Sequence, residues 1–186
     1  MFQTTPSQTV GPYFAIGMPW PEGPFAAPEG TPGAFRIFGA IYDGAGATVP
    51  DHLIETWQAD PDGRFADLHG YGGRSELAGF RGFARHGAED GDGTYEIVTV
   101  KPGRVPEAGG RLQAPHIDLS VFARGMLHRC VTRIYFADED AANAEDPILA
   151  LVPAQRRETL LAVPEDGAYR FDIRLQGPGE TVFFDV

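Results

Sequence analysis

Glycine and proline are unusually frequent in this chain, which has 24 glycines and 16 prolines among its 186 residues. Their combined share is well above the roughly 12% of average proteins. Proline lacks a backbone donor and interrupts helices, and glycine favours turns. A chain that turns this often is expected to form short strands rather than long helices.

Residues with a high strand propensity fall into short runs that turn residues separate. Seven runs are predicted to be strands: residues 35–42, 53–59, 95–101, 116–123, 131–137, 169–175 and 181–186. The best helical candidate lies between residues 138 and 162, where Pro147 and Pro153 divide the segment into short pieces. The pattern predicts an all-β protein, an antiparallel β-sandwich with short helices in its connections.

The N-terminal segment differs from the rest of the chain. Residues 1–34 contain seven prolines and five glycines, and only Glu22 and Glu29 are charged. The segment cannot fold alone, yet it is too rich in aromatic residues to be a solvated linker. We predict a long irregular arm over residues 1–34, placed at a subunit interface or wrapped on its own domain. Residues 35–186 are predicted to form a single β-sandwich domain.

Charge and composition exclude several classes of partner. The formal net charge is −11, and no cluster of basic residues is present to bind phosphates, so we expect no nucleic-acid partner. No apolar run reaches the length of a membrane span, and we expect no membrane association. The single cysteine, Cys130, is typical of a reducing compartment, so the chain is expected to be cytoplasmic.

A few residues could carry chemistry on spacing alone. His116 and Asp118 are two residues apart in a predicted strand, so both side chains would lie on one face. With His128 they could form a facial Fe(II) site, although nothing in the sequence places His128 on that face. Arg133 lies in an apolar run and is a solvent-facing strand arginine, half of a structural ion pair, or a clamp for a carboxylate.

Several ordered motifs resemble the intradiol ring-cleaving dioxygenases. They are the N-terminal Thr-Pro-Ser-Gln-Thr-Val-Gly-Pro-Tyr-Phe of residues 5–14, and those at residues 55–60, 100–103, 114–117 and 156–160. The resemblance extends from the arm to residues 182–185 and so covers almost the whole chain.

The resemblance implies a ferric ion that two tyrosines and two histidines hold in a related beta subunit. At the matching positions this sequence has Phe65, Val105, His116 and Asp118, so three of the four ligands are absent. Gln113 stands where the beta subunit has an arginine before its first histidine. We therefore expect this chain to hold no metal, to supply no catalytic residue and to be inactive alone.

The resemblance also implies a role in an assembly. The chain would be the non-catalytic alpha-type subunit that pairs with the Fe(III)-bearing beta subunit and helps to close its pocket. Together they would cleave protocatechuate with O2 to 3-carboxy-cis,cis-muconate, a step of aromatic catabolism in the beta-ketoadipate pathway. The implied substrate-binding residues are Thr9, Gly11, Pro12, Tyr13 and Arg133. The alternative is a metal-free β-sandwich module that binds an aromatic acid as a homo-oligomer.

Overall fold

A computed structural model describes residues 4–9, 11–66, 74–88 and 91–185. The strands in these ranges are β1 (Ala34–Tyr42), β2 (Leu53–Trp57), β3 (Phe83–Gly87), β4 (Thr94–Val100), β5 (His116–Phe122), β6 (Cys130–Phe136), β7 (Leu161–Glu165), β8 (Ala168–Arg170) and β9 (Ile173–Arg174). The α-helices are α1 (Tyr13–Gly17) and α2 (Asp140–Glu145), and two 3₁₀ segments cover Leu149–Leu151 and Ala154–Leu160.

The strands form one continuous sheet in the order β3-β2-β5-β6-β7-β8-β1-β4, with β9 paired to β1. Most neighbours are antiparallel, but the pairs β6–β7, β1–β8 and β1–β9 are parallel. The predicted all-β class is confirmed. The sheet curls into a nearly closed, barrel-like sandwich instead of dividing into two separate layers.

Five of the seven predicted strands agree with β1, β2, β4, β5 and β6 to within about two residues. The run 169–175 is divided between β8 and β9. Between them the Phe171 carbonyl approaches Gly39, where an added Cβ would lie only 2.0 Å from its oxygen. In the predicted run 181–186, residues 181–185 form no strand and make one bridge, between Phe184 and Val131, and residue 186 lies outside the described residues. Strands β3 and β7 were not predicted. The short helices between residues 138 and 162 are confirmed, although the segment ends as β7.

The core lies between the two halves of the curled sheet. Strand β5 alternates buried and partly buried residues, and its Ile117, Leu119 and Val121 are buried in the core. The largest cluster of buried apolar side chains combines β1, β2, β4, β5 and β6 with residues after β8. The opposite face of β2, β5 and β6 is therefore free to carry polar groups.

A segment of the predicted arm fills the gap between the end strands β3 and β4. The Ala26 N–H donates to the Val98 carbonyl on β4 at 2.8 Å, and the Ala26 carbonyl accepts from the Arg81 N–H just before β3 at 2.9 Å. Ala26 is fully buried in the core. Gly23 permits this close approach, because an added Cβ would lie 2.7 Å from the Arg85 carbonyl oxygen. The second half of the arm thus belongs to the body of the domain.

The first part of the arm lies on the surface. Residues 4–9 have no regular secondary structure and are exposed, and helix α1 leaves Tyr13 and Ile16 more than 75% exposed. Trp20 anchors its far end by stacking on Phe83, with ring centroids 6.4 Å apart. None of the helices in the described ranges has the length and apolar character needed to cross a bilayer.

Candidate functional site

The outer face of β2, β5 and β6 carries a row of functional side chains. Strand pairing puts Trp57 opposite Asp118, and Asp118 opposite Arg133. Because residues directly opposite each other on neighbouring strands have side chains on the same face, these three side chains are neighbours. Phe65 stacks on Trp57 with ring centroids 6.0 Å apart and nearly parallel planes, so it borders the row at one end.

Arg133 is held at the centre of a polar network. Its Nε donates to Asp118 Oδ1 at 2.9 Å and its Nη1 to Gln113 Oε1 at 2.7 Å, with a longer contact to the Tyr135 hydroxyl at 3.4 Å. That hydroxyl lies 3.2 Å from Asp146 Oδ1. Burial opposes the charge of Arg133, but Asp118 and Tyr135 outweigh it and raise the pKa of the guanidinium. The group is a firmly held cation.

His116 lies beside this network at the start of β5. Its Nδ1 is 2.7 Å from the Ala114 carbonyl oxygen, so Nδ1 carries the proton and donates it. Burial lowers the pKa of His116, and the nearby charge of Arg133 acts in the same direction. The neutral ring therefore keeps its lone pair on Nε2.

The four positions of the implied iron ligands gather around this row but do not fit ferric iron. Phe65 and Val105 have no donor atom, and the Val105 carbonyl is bound by the Gln113 N–H at 2.8 Å. Asp118 already pairs with a cation, which leaves His116 as the one matching ligand. Among the described residues, no group of three or more His, Cys, Asp and Glu side chains is placed to hold a metal.

The suggested trio of His116, Asp118 and His128 is wrong. His116 begins β5, whereas His128 is exposed in the turn that follows the other end of this strand. The length of β5, at about 3.3 Å per residue, separates the two histidines. They cannot share a metal ion within one chain.

The arm residues predicted to bind substrate lie at the far end of β5. Thr9 Oγ1 accepts hydrogen bonds from the Gly125 N–H at 2.9 Å and the Gly11 N–H at 3.2 Å. Gly11 adopts φ +67°, a left-handed conformation that suits glycine, and Pro12 precedes the first residue of α1, the exposed Tyr13. The arm is thereby tied to the turn between β5 and β6.

The structure does not bring Arg133 together with the arm. Phe14 of the arm packs on Phe122, which is four residues beyond Asp118, the partner of Arg133. Four residues of strand span about 13 Å, so a single aromatic ring cannot touch both places. The two sets of predicted residues form separate sites in this chain.

Arg124, which no sequence motif indicated, lies next to the arm. It precedes Gly125, the residue that donates to Thr9, and its Nε is 3.1 Å from Asp51 Oδ2. Its side chain is 63% exposed, and in the described part of the chain its two terminal nitrogens donate no hydrogen bond. Nothing in the sequence connected the turn that contains Arg124 to the arm.

Comparison with known proteins identifies the family. A family model described as "Dioxygenase" matches residues 9–177, most of the chain. The chain belongs to this dioxygenase family. Its resemblance to the intradiol ring-cleaving dioxygenases is confirmed.

Two curated members of the dioxygenase family show where the similarity is strongest. The chain is 45% identical to a Burkholderia cepacia protein named protocatechuate 3,4-dioxygenase alpha chain, over 98% of this chain and 97% of that protein. It is 32% identical to the protein named as the beta chain from the same organism, over 84% of this chain and 71% of that one. The alpha-chain similarity is higher and covers both chains almost completely.

A solved structure supports the fold assignment. The dioxygenase domain of a dioxygenase and carbohydrate-binding protein fusion from Streptomyces sp. SirexAA-E matches with a TM-score of 0.55 and 23% identity. The match covers 95% of this chain and all of that chain. The barrel-like sandwich is therefore a fold found in this dioxygenase family.

The buried His52 gives a testable pH dependence close to Arg124. Its Nδ1 is 2.9 Å from the Val49 carbonyl oxygen, and burial lowers its pKa although Asp51 and Asp92 act against the shift. At a pH just below 6.5, the ordinary pKa of histidine, His52 is protonated in the unfolded state but remains neutral in the folded state. The free energy of unfolding should therefore fall on acidification below about pH 6.5, by up to roughly 1.4 kcal/mol per pH unit for each such histidine.

Urea unfolding at a series of pH values checks this dependence. His52→Gln should reduce the slope by about one proton, since His116 still contributes. The control is His128→Gln, at an exposed position that is solvated in both states. Equal slopes for the wild type and His52→Gln would contradict the prediction.

Proposed function

We propose that this chain is the non-catalytic alpha subunit of a protocatechuate 3,4-dioxygenase. It would pair with a related beta subunit that holds Fe(III). The assembly would break the bond between the two hydroxyl-bearing carbons of protocatechuate and insert both atoms of O2. The product is 3-carboxy-cis,cis-muconate, and the reaction needs no additional reductant.

The observation that carries the proposal is the state of the four ligand positions. The chain has the family fold, yet Phe65 and Val105 offer no oxygen and Asp118 is paired with Arg133. Fe(III) prefers oxygen ligands. When the partner holds it, the two catechol oxygens of the substrate would chelate it. A chain with only His116 among the implied ligands depends on a partner for this chemistry. The nearly full-length similarity to an alpha chain supports the same assignment.

We further propose that the arm lines the pocket of the partner. Thr9, Gly11, Pro12 and Tyr13 would form this wall, since glycine and proline allow a backbone to approach a planar ring closely. Their exposure in the single chain suits a segment that a second subunit covers. Residues 4–9 and α1 carry no charged side chain, so a second subunit that covers them would bury no unpaired charge.

The substrate carboxylate requires a cation, and Arg124 meets this need better than Arg133. Arg133 is already bonded to Asp118 and Gln113 and lies away from the arm. Arg124 is next to Gly125, the residue that binds Thr9, and most of its side chain is exposed. A planar guanidinium can hold a carboxylate through two parallel hydrogen bonds. We therefore include Arg124 in the proposed pocket in place of Arg133.

Co-expression with a related chain that has all four iron ligands tests the proposal. Alone, this chain should purify without visible colour and should not consume O2 with protocatechuate. With the partner it should co-purify in equal amounts as a coloured, active complex, because tyrosinate-to-iron charge transfer absorbs visible light. A coloured and active assembly of this chain alone would refute the proposal. A colourless homo-oligomer that binds protocatechuate without the partner would favour the binding-module alternative.

A further inference from the structure

The hairpin of β5 and β6 places several metal-ligating atoms around one arginine. His116 presents Nε2 as a free lone pair, because its Nδ1–H is bound to the Ala114 carbonyl. A backbone carbonyl that orients an imidazole in this way is common behind histidine ligands of metals. Asp118 is two residues along the same strand face, and Tyr135 pairs with His116 across the hairpin.

The guanidinium of Arg133 lies against the oxygen donors beside His116. It is bonded to the carboxylate of Asp118 and the amide oxygen of Gln113, and it contacts the Tyr135 hydroxyl. These oxygens are the groups that an incoming cation would have to bind. Arg133 is directly opposite Asp118 in the strand register and only 19% of its side chain is exposed, so it is held in place by the fold.

We propose that Arg133 is a built-in cation that closes the His116–Asp118 pair to metal ions. A metal approaching Asp118 would have to displace the guanidinium from its hydrogen bonds and would face its positive charge at short range. Removing that charge would leave an imidazole nitrogen and a carboxylate on one face, with amide and phenol oxygens nearby. Zinc and cobalt bind such mixed nitrogen and oxygen sites.

The proposal differs from the simple loss of ligands. Missing ligands weaken a site, whereas a fixed cation excludes metals from the ligands that remain. In an assembly whose partner holds iron, a closed pair would not compete for that iron. The assignment of Arg133 stands on the hairpin contacts alone and does not depend on the partner.

Metal titration of the isolated chain tests the proposal. Co²⁺ is added to the wild type, Arg133→Met and Arg133→Lys, and binding is followed by visible absorption and by calorimetry. Arg133→Met removes the charge at similar volume and should bind one equivalent at least about tenfold more tightly than the wild type. Arg133→Lys keeps the charge and should bind as weakly as the wild type.

Second-site changes show whether the expected pair is responsible. Adding His116→Gln or Asp118→Asn to Arg133→Met should return cobalt binding to the wild-type level. Near-ultraviolet circular dichroism checks folding, and Arg133→Gln, which is uncharged and can still bond to Gln113, replaces the methionine variant if that variant does not fold. The proposal is overturned if the wild type binds cobalt as tightly as the folded, uncharged variants. It is also overturned if their binding survives the loss of His116.

Discussion

Replacing Asp146 with alanine is expected to lower the free energy of unfolding by about 4 kcal/mol, a large fraction of the stability of a single domain. Asp146 is completely buried and accepts hydrogen bonds from the backbone N–H groups of Ala114, Ile148 and Leu149 at 2.6–2.9 Å. The alanine variant leaves these donors buried without a partner, at roughly 1–3 kcal/mol each. Entry of water would recover part of that cost.

Thermal unfolding measures this effect directly. For a domain of this size, about 4 kcal/mol corresponds to a decrease in Tm of roughly 8–16 °C. Glu145→Gln is the matched control, since it alters the neighbouring carboxylate, which is 68% exposed and paired with Arg104. An exposed pair contributes at most about 1 kcal/mol. If the two variants melted at the same temperature, Asp146 would not organise this region.

The role of Asp146 shows how the candidate site is supported. Ala114 precedes β5 by two residues, and its carbonyl binds the His116 ring. Through the Ala114 N–H, Asp146 connects that turn to the segment after α2, and it also contacts the Tyr135 hydroxyl of the Arg133 network. Loss of Asp146 should therefore loosen the site as well as the fold.

The strands that could be predicted are those whose side chains satisfy local rules. Strands β1, β4, β5 and β6 have β-branched and aromatic residues in continuous runs, so their bounds were found to within one residue. Strand β3 contains Arg85 and His86. Strand β7 contains Pro164 and begins directly after a 3₁₀ segment. Their strand conformation comes from pairing with β2, β6 and β8, a tertiary contribution that outweighs local propensity.

The sequence also did not predict that the arm fills the gap between the end strands β3 and β4. Residues 23–27 contain Pro24 and two alanines and have no strand pattern. They are held by backbone hydrogen bonds to β4 on one side and to the vicinity of β3 on the other. Backbone pairing of this kind leaves no side-chain signature, so the arm looked uniform from residue 1 to residue 34.

Motifs in the sequence predicted which residues form the candidate site, but they did not predict how these residues contact one another. The sequence identified Phe65, Val105, His116 and Asp118 as the positions of the implied ligands. It did not show that Arg133 is bonded to Asp118. A hairpin centred between Gly125 and Met126 would have placed those two residues opposite each other. A hairpin centred one residue earlier, on Arg124-Gly125, would pair Asp118 with Val131 instead, so the contact depends on the exact position of the turn.

The contact between the arm and the turn leads to the prediction with the largest effect on activity. In an active complex with an iron-bearing partner, Arg124→Ala should raise the KM for protocatechuate by roughly 10- to 100-fold. This range corresponds to the loss of a hydrogen-bonded charge contact of about 1.5–3 kcal/mol. Steady-state O2 consumption measures it. The KM for plain catechol should change little, since that substrate has no carboxylate.

Two further variants distinguish the loss of the Arg124 charge from a disturbance of the surrounding turn and arm. Arg129→Ala removes an exposed arginine from the same turn and should leave both KM values unchanged. Thr9→Val keeps the shape of residue 9 but loses its hydrogen bonds from Gly11 and Gly125, so it should weaken both substrates together by displacing the arm. A selective loss of protocatechuate over catechol in Arg124→Ala alone identifies the carboxylate contact. Equal effects of Arg124→Ala on the two substrates would mean that Arg124 only supports the turn, through its ion pair with Asp51.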